Sequence, residues 1–373
     1  MTETFITIDW LVVVQVVVIG FIGGILSGFI GSGGAFFMTP GMMNLGIPGV
    51  IAVGSNITHK FGKAMMGSRK HGEMGNVDRK MGFFMLITAS IGIRLAVWIS
   101  TKVFSGGGGH SSEAGKGAAA DLYISSVFVS VLTLVALSML RDIVRSSRSE
   151  GGGPSRRITE YLNRLRLPPV ISFPTADVKV SLWIVLLVGL ATGYLAGTIG
   201  VGGFVGVPAM IYVFGMPTSV AAGTELYLAM FMGAFGALNY AYEGMVDLRL
   251  ALLLYLGSLV GVYVGAYGTK VVKEVMIRIV TTMIILLCVL SRVIAVPVYL
   301  RQLGWLALDP GWDRYLNGVS KALLFVSGIA GAVLILVAVG RAYMQRRRVT
   351  ATLAFSPPRG AQAGQAAGAS SRP

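Results

Sequence analysis

The stretches "GFIGSGG" (28–34) and "GTIGVGG" (197–203) are nearly the same seven residues written twice, 169 positions apart, with five of seven identical. Both sit within runs that otherwise read as membrane-spanning helix. Glycine lets a backbone turn sharply and approach a neighbour with no Cβ in the way. Each cluster is followed by a short apolar piece (35–46 and 204–215) containing a proline, Pro40 or Pro208. Neither piece is long enough to cross a bilayer, which takes about 20 apolar residues. The pattern therefore predicts a broken, re-entrant helix in each copy. Such a break survives in lipid only where protein or a water-filled cavity satisfies the freed backbone groups.

The register extends well past the glycines. At the same offset "GIP" (46–48) meets "GMP" (215–217), Ala52 and Gly54 meet Ala221 and Gly223, and "GNVD" (75–78) meets "GMVD" (244–247). One residue slips at Pro40 and Pro208. The predicted fold is an all-α polytopic membrane protein: two internally repeated four-helix units with Gly/Pro-broken re-entrant helices, plus one extra C-terminal helix. The expected divisions are a first transmembrane repeat (1–143), a basic cytoplasmic linker (144–178), a second repeat (179–296), an additional transmembrane helix (297–345) and a disordered tail (346–373). Paired breaks in corresponding places of two repeats are a sequence pointer to a transporter binding site.

Composition agrees. Of 373 residues, 54% are hydrophobic and 13% charged, against roughly 25% charged in soluble domains. Spans are expected at 9–31, 49–70, 81–103, 121–143, 180–200, 218–241, 248–268, 275–296 and 319–341, which makes a multi-pass protein of the cell (inner) membrane. The segment before the first span carries Glu3 and Asp9 and no Lys or Arg, the reverse of a signal peptide's basic start, so that span is expected to be retained. The net charge of +15 gathers in loops, with Arg69, Lys70, Arg79 and Lys80 in one and Arg141 to Arg166 in another. This fits positive cytoplasmic loops rather than nucleic acid. The glycine-rich 104–120 reads as a flexible loop, and 156–167 as an amphipathic helix on the cytoplasmic surface. Counting spans onward places "RRR" (346–348) outside, against the charge rule. A single cysteine, Cys288, excludes an internal disulfide and any multi-cysteine metal site. No metal or cofactor is expected.

Through the two "GxxGxGG" clusters, Pro40 and Pro208, the "G-[IM]-P" pairs and the "GxVD" ends, the chain resembles the TauE/SafE-type sulfite exporter family of membrane permeases, over about 9–143 and 180–292. The resemblance implies export or uptake of sulfite or other small, often sulfur-containing or organic, anions. The long basic loop, the glycine-rich loop and the ninth span depart from a family of around eight spans.

A charge at bilayer centre costs roughly 2.5–3.5 kcal/mol, so the polar residues inside spans stand out. Asn56 and Glu225 occupy the same repeat position. Asn56, His59, Lys60 and Lys63 follow at spacings of three and four, along one helical face. Arg94 lies near the centre of the third span. The expected substrate-binding residues are Gly31, Gly33, Gly34, Gly200, Gly202, Gly203, Asn56, Lys60 and Arg94, where free amides at two half-helix N-termini would meet an anion. Glu225 reads as a structural counter-ion or a proton carrier, and His59 as a proton relay or a hydrogen-bonded structural histidine. Lys63 either belongs to the cationic face or snorkels to the cytoplasmic end. Asp78 and Asp247 read as helix N-caps or as gating salt bridges. The expected partners are a small anionic substrate and membrane lipids, with a homo-oligomer allowed and no nucleic acid. With no "GxxxxGK[ST]", no "HExxH" and no nucleophile elbow, the leading reading is a secondary transporter, not an enzyme. Its alternative is a sensor or partner subunit without transport.

Overall fold

A computed structural model of the chain describes residues 9–30, 34–104, 113–146, 167–200, 202–272 and 274–354. The first part holds α1 (Trp10–Ile30), α2 (Ala35–Met43), α3 (Gly49–Glu73), α4 (Arg79–Trp98, continued by a π turn Ile99–Val103) and α5 (Glu113–Ser146). A hairpin of β1 (Val170–Phe173) and β2 (Val178–Ser181) follows. The remainder is α6 (Leu182–Ile199), α7 (Gly203–Pro208, continued by a π turn Ala209–Val213), α8 (Thr218–Tyr242), α9 (Leu248–Val271), α10 (Glu274–Gln302) and α11 (Gly311–Ala354). Eight of these helices are long and apolar enough to cross a membrane. The 25-residue α3 is as long as α8 but carries His59, Lys60 and Lys63.

The helix bounds follow the 169-residue offset. Gly49–Glu73 maps onto Thr218–Tyr242, and the start of α4 at Arg79 onto that of α9 at Leu248. The tight turns match as well: Gly46 and Gly215 have φ of +83° and +79°, and Gly75 and Gly244 have +72° and +71°. Asp78 caps α4 by accepting from the Met81 amide at 2.9 Å, and Asp247 caps α9 by accepting from the Arg249 amide at 2.9 Å.

Two backbone-close seams hold the bundle. Gly20, Gly24 and Gly28 of α1 lie on Leu254, Ser258 and Val262 of α9. A Cβ on Gly20 or Gly24 would stand 2.6 Å from the facing carbonyl oxygen. At the same offset, Gly189, Gly193 and Gly197 of α6 lie on α4 around Met85, Ala89 and Ile93. In lipid, where apolar side chains gain nothing by leaving the solvent, such close approach is a main source of helix association. Between the seams α3 and α8 cross antiparallel, with Gly54 beside Tyr240 and Gly223 beside His71.

The short helices settle the direction of the chain. α2 turns back along α1, with Gly34 against Gly23 and Gly41 against Ile19, so α3 starts from the end at which α1 began. α7 does the same after α6, its π turn reaching Tyr212, which donates to Asp142 near the end of α5 at 2.9 Å. The loop after α3, the β-hairpin and the ends of α5 and α11 thus share one basic end. This corrects the span count from sequence: "RRR" (346–348) lies at the basic end because α1 with α2, and α6 with α7, each return the chain to the side from which it came.

Other expectations shift in detail. Residues 113–120, expected as loop, begin α5, since the alanine-rich "EAGKGAAADLY" after the glycines favours helix. α11 runs to Ala354, so the helix takes in 346–354, and 297–302 belong to α10. The amphipathic segment 156–166 lies outside the described residues. Cysteines placed at Asp177 and Met344 should label with a membrane-impermeant thiol reagent from the same side, and one at Trp305 from the other. All three residues are exposed, whereas the native Cys288 is buried. Labelling of Met344→Cys together with Trp305→Cys would contradict this direction.

Candidate functional site

The two short helices meet ring to ring, Phe36 against Phe204 with centroids 4.8 Å apart. Each precedes its proline by four residues, the position whose carbonyl loses its helical partner because proline has no N–H. Around this contact the first half closes the break of the second. Thr39 on α2 donates to the carbonyl of Ile199, the last residue of α6, at 3.2 Å. Asn56 on α3 donates to Thr39 Oγ1 at 2.8 Å and to the Ala35 carbonyl at 3.2 Å. Gly200 turns beneath them with φ of +76°; a Cβ there would stand 3.0 Å from Asn56 Nδ2 and 3.2 Å from Thr39 Oγ1. Asn56 is fully buried, and its Oδ1 has no hydrogen-bond partner.

One helical turn along α3 a cavity of about 30 Å³ opens, room for about two waters. Ser27 of α1, Ala35 at the start of α2, His59, Lys60 and Lys63 of α3, and Glu225 of α8 line it. His59 shares a 2.7 Å hydrogen bond through Nε2 with Ser258 of α9, and its buried Nδ1 has no partner. Lys63 donates to Ser27 Oγ, turning inward rather than toward the basic end. Both carboxylate oxygens of Glu225 are buried without a hydrogen-bond partner. Gly206 of α7 lies so close to Glu225 that any side chain there would take the carboxylate's place.

The basic side chains of the cavity have no counterpart at the matching positions of the second half. There the residues facing His59, Lys60 and Lys63 in register are Leu228, Ala229 and Met232. The site thus combines one helix N-terminus with its positive dipole end, three basic side chains and one carboxylate. Such a set can hold one anion if the carboxylate gives way.

Of the expected site residues, the fold brings Asn56, His59, Lys60, Glu225, Gly34 and Gly200 together. Gly202 and Gly203 open α7 on the far side of the Phe36–Phe204 contact, and α7 is too short to present an N-terminus comparable to α2's. Gly31 and Gly33 lie outside the described residues. Arg94 stands apart: it is half exposed, donates to Asn239 at 3.1 Å and lies 3.9 Å from Glu243, which also pairs with Lys102 at 2.8 Å. Asp78 and Asp247 sit at opposite ends of the bundle. Asp78 also accepts from Ala176 of the hairpin at 3.1 Å, and its own amide donates to Thr224 Oγ1 at 3.0 Å. Asp247 pairs with Arg249 at 2.8 Å, and its amide donates to Ser55 Oγ at 3.1 Å. Ser55 and Thr224 are themselves 169 residues apart.

Sequence reasoning passed over Ser27, inside "ILSGFIG", and Ser258, although each is a polar residue in an apolar run. It also passed over Arg292, fully buried on α10, which bonds to Asn44 at the end of α2 and to Ser320 of α11. The signal was there: an arginine within "LLCVLSRVIAV". Among the described residues no cluster of three metal-ligating side chains occurs.

The family model described as Sulfite exporter TauE/SafE matches residues 16–292. The chain is 31% identical over 256 residues to "Probable membrane transporter protein YjnA" of Bacillus subtilis (strain 168), covering 68% of this chain and 89% of that protein. It is 24% identical over 270 residues to "Probable membrane transporter protein YdhB" of the same organism, covering 70% and 93%. No solved structure matches it.

Gly200→Ala and Gly46→Ala both place a side chain at positive φ, a cost of roughly 1–2 kcal/mol. Gly46 has open space around it, whereas Gly200 faces Asn56 and Thr39. In thermal unfolding of the detergent-solubilised protein, Gly200→Ala should be the more destabilising by a further ~1–3 kcal/mol, the cost of disturbing buried hydrogen bonds. Equal losses would remove the Asn56–Thr39 node from its supporting role.

Proposed function

Since the chain belongs to the Sulfite exporter TauE/SafE family, a family of membrane transporters rather than enzymes, we propose that it is a secondary transporter of a small anion, sulfite or a sulfonate being the substrates tested first. The observation that carries this is the single cavity where the α2 N-terminus, His59, Lys60 and Lys63 meet Glu225. Charges of this kind, turned inward within a bilayer, mark substrate and proton pathways. We assign Lys60 as the principal substrate contact, because Lys63 and His59 already bond to Ser27 and Ser258. Glu225 is the coupling group: a carboxylate that shares the cavity with Lys60 competes with a substrate anion, and a proton on it removes the competition.

The mechanism follows from the pairing of helices. α1 lies on α9 as α6 lies on α4, and α3 crosses α8 antiparallel. This is the pairing expected of two inverted copies of one unit, and it supports alternating access by rocking of one half against the other. The cavity is small, so loading a sulfonate requires the halves to part. Asp78 and Asp247 are the matched gate elements at the two ends, each tied by its amide to a hydroxyl of the other half. The positive-inside rule places the basic end, with the hairpin and the end of α11, in the cytoplasm.

The test is uptake of labelled sulfite into proteoliposomes under imposed pH and voltage gradients, with sulfate, thiosulfate, sulfoacetate and acetate as competitors. Saturable flux is expected, falling at least tenfold in Lys60→Ala. Glu225→Gln should keep exchange of anion for anion while losing acceleration by a pH gradient. Flux unchanged in Lys60→Ala would remove the cavity from the pathway. Absence of flux with every anion would favour a sensor or partner subunit.

A further inference from the structure

A second cavity lies on the flank of the bundle, away from the charged site. It is a lateral groove of about 750 Å³ between α10 and α11, floored by Phe29 near the end of α1. The wall on α10 presents Met276 and Met283 and ends at Leu287; the wall on α11 presents Ala330 and ends at Arg341. Small residues on one wall leave the space, and side chains of the other do not fill it. Apart from Ser327, the lining is apolar until Arg341.

We propose that this groove binds an anionic phospholipid of the cytoplasmic leaflet, with an acyl chain between α10 and α11 and the phosphate on Arg341. The dimensions point to this occupant. Met276 to Leu287 spans 11 helical steps, about 16 Å at 1.5 Å per residue, which is half of a hydrocarbon core of about 30 Å. The groove therefore covers the depth of one leaflet. Its charged end lies at the basic end of the bundle, where headgroups of that leaflet sit. Arg341 is exposed and, among the described residues, pairs with no carboxylate. A guanidinium offers a planar fork of donors suited to a phosphate, and "RRR" at 346–348 adds basic charge to the same helix end. Anionic lipids are attracted to such juxtamembrane basic segments.

The position gives the lipid a role. Phe29 lies at the floor of the groove and within the first glycine cluster, so an occupied groove braces the end of α1 against α10 and α11. The proposal does not rest on the transport reading; it concerns a separate surface and can be tested without flux.

The test is the thermal unfolding midpoint of delipidated protein in detergent, with dioleoylphosphatidylglycerol or dioleoylphosphatidylcholine added at equal mole fraction. Wild type should gain several degrees more from the anionic lipid. Arg341→Gln should respond equally to both lipids, and Ala330→Trp, which fills an exposed position in the groove, should lose most of the response to either. Native mass spectrometry should show one retained phosphatidylglycerol on wild type and none on Ala330→Trp. Equal shifts with both lipids in wild type, or a preference for the anionic lipid that persists in both variants, would overturn the proposal. So would a dimer that Ala330→Trp converts to monomer with no lipid effect, since a second copy would then be the occupant. Should Ala330→Trp elute as aggregate, Met283→Trp on the facing wall takes its place, and Arg341→Ala likewise stands in for Arg341→Gln, with the same outcomes for each.

Discussion

A helix that stops inside a bilayer leaves carbonyl and amide groups where no water can reach them, and each must find a partner in the protein. Here the partner is the other half of the chain. The carbonyl that ends α6 at Ile199 is met by Thr39 of α2; Thr39 is held by Asn56 of α3, and Asn56 packs over the left-handed turn at Gly200. The second half's break is thus closed by the first half, while Asn56 also meets the Ala35 carbonyl of its own half. That closure fixes α2 against the end of α6. Glycine recurs along α1 and α6 for the same packing: with side chains at Gly24 and Gly193 the helices could not approach closely enough to bring the two short helices together.

On this matched scaffold the chemistry is not matched. Asn56 and Glu225 hold the same place in the repeat yet do different work. The amide uses both donor hydrogens to stabilise the break, while the carboxylate has no hydrogen bond and faces three basic side chains. Burial without partners is a cost of roughly 1–3 kcal/mol for a neutral polar group and more for a charged one. Such groups call for an explanation, and an ordered water, a ligand or a proton can each supply the missing partner.

Much of this was legible in the sequence. The all-α polytopic fold follows from the long apolar runs, and the charges within them singled out His59, Lys60 and Glu225, which line one cavity. Arg94 misled because depth in a span was read as position in a site. A helix face cannot be assigned from depth, and this one points away from the cavity toward Asn239 and Glu243. Arg292 was passed over for the opposite reason, since it sits late in a long span where an arginine resembles a terminal anchor. Ser27 and Ser258 carry no signal on their own, because a lone serine in an apolar helix ordinarily bonds its own backbone. Their contribution is set by tertiary neighbours alone. The side on which the chain ends was misplaced because α1 and α6 were each counted as a full pass, although the short helix that follows turns the chain back.

That last point reaches beyond bookkeeping of spans. Because α2 retraces part of the path of α1, the two together return the chain to its starting side, and only α3, α4 and α5 add net passes. Three is odd. A unit with odd parity hands its successor to the opposite face, so a copy of the same sequence placed after it must fold upside down. Were α1 and α2 a single unbroken pass, four passes would make the parity even and α3 would meet α8 parallel. The reversal between α1 and α2 therefore also determines which way up the whole second half stands.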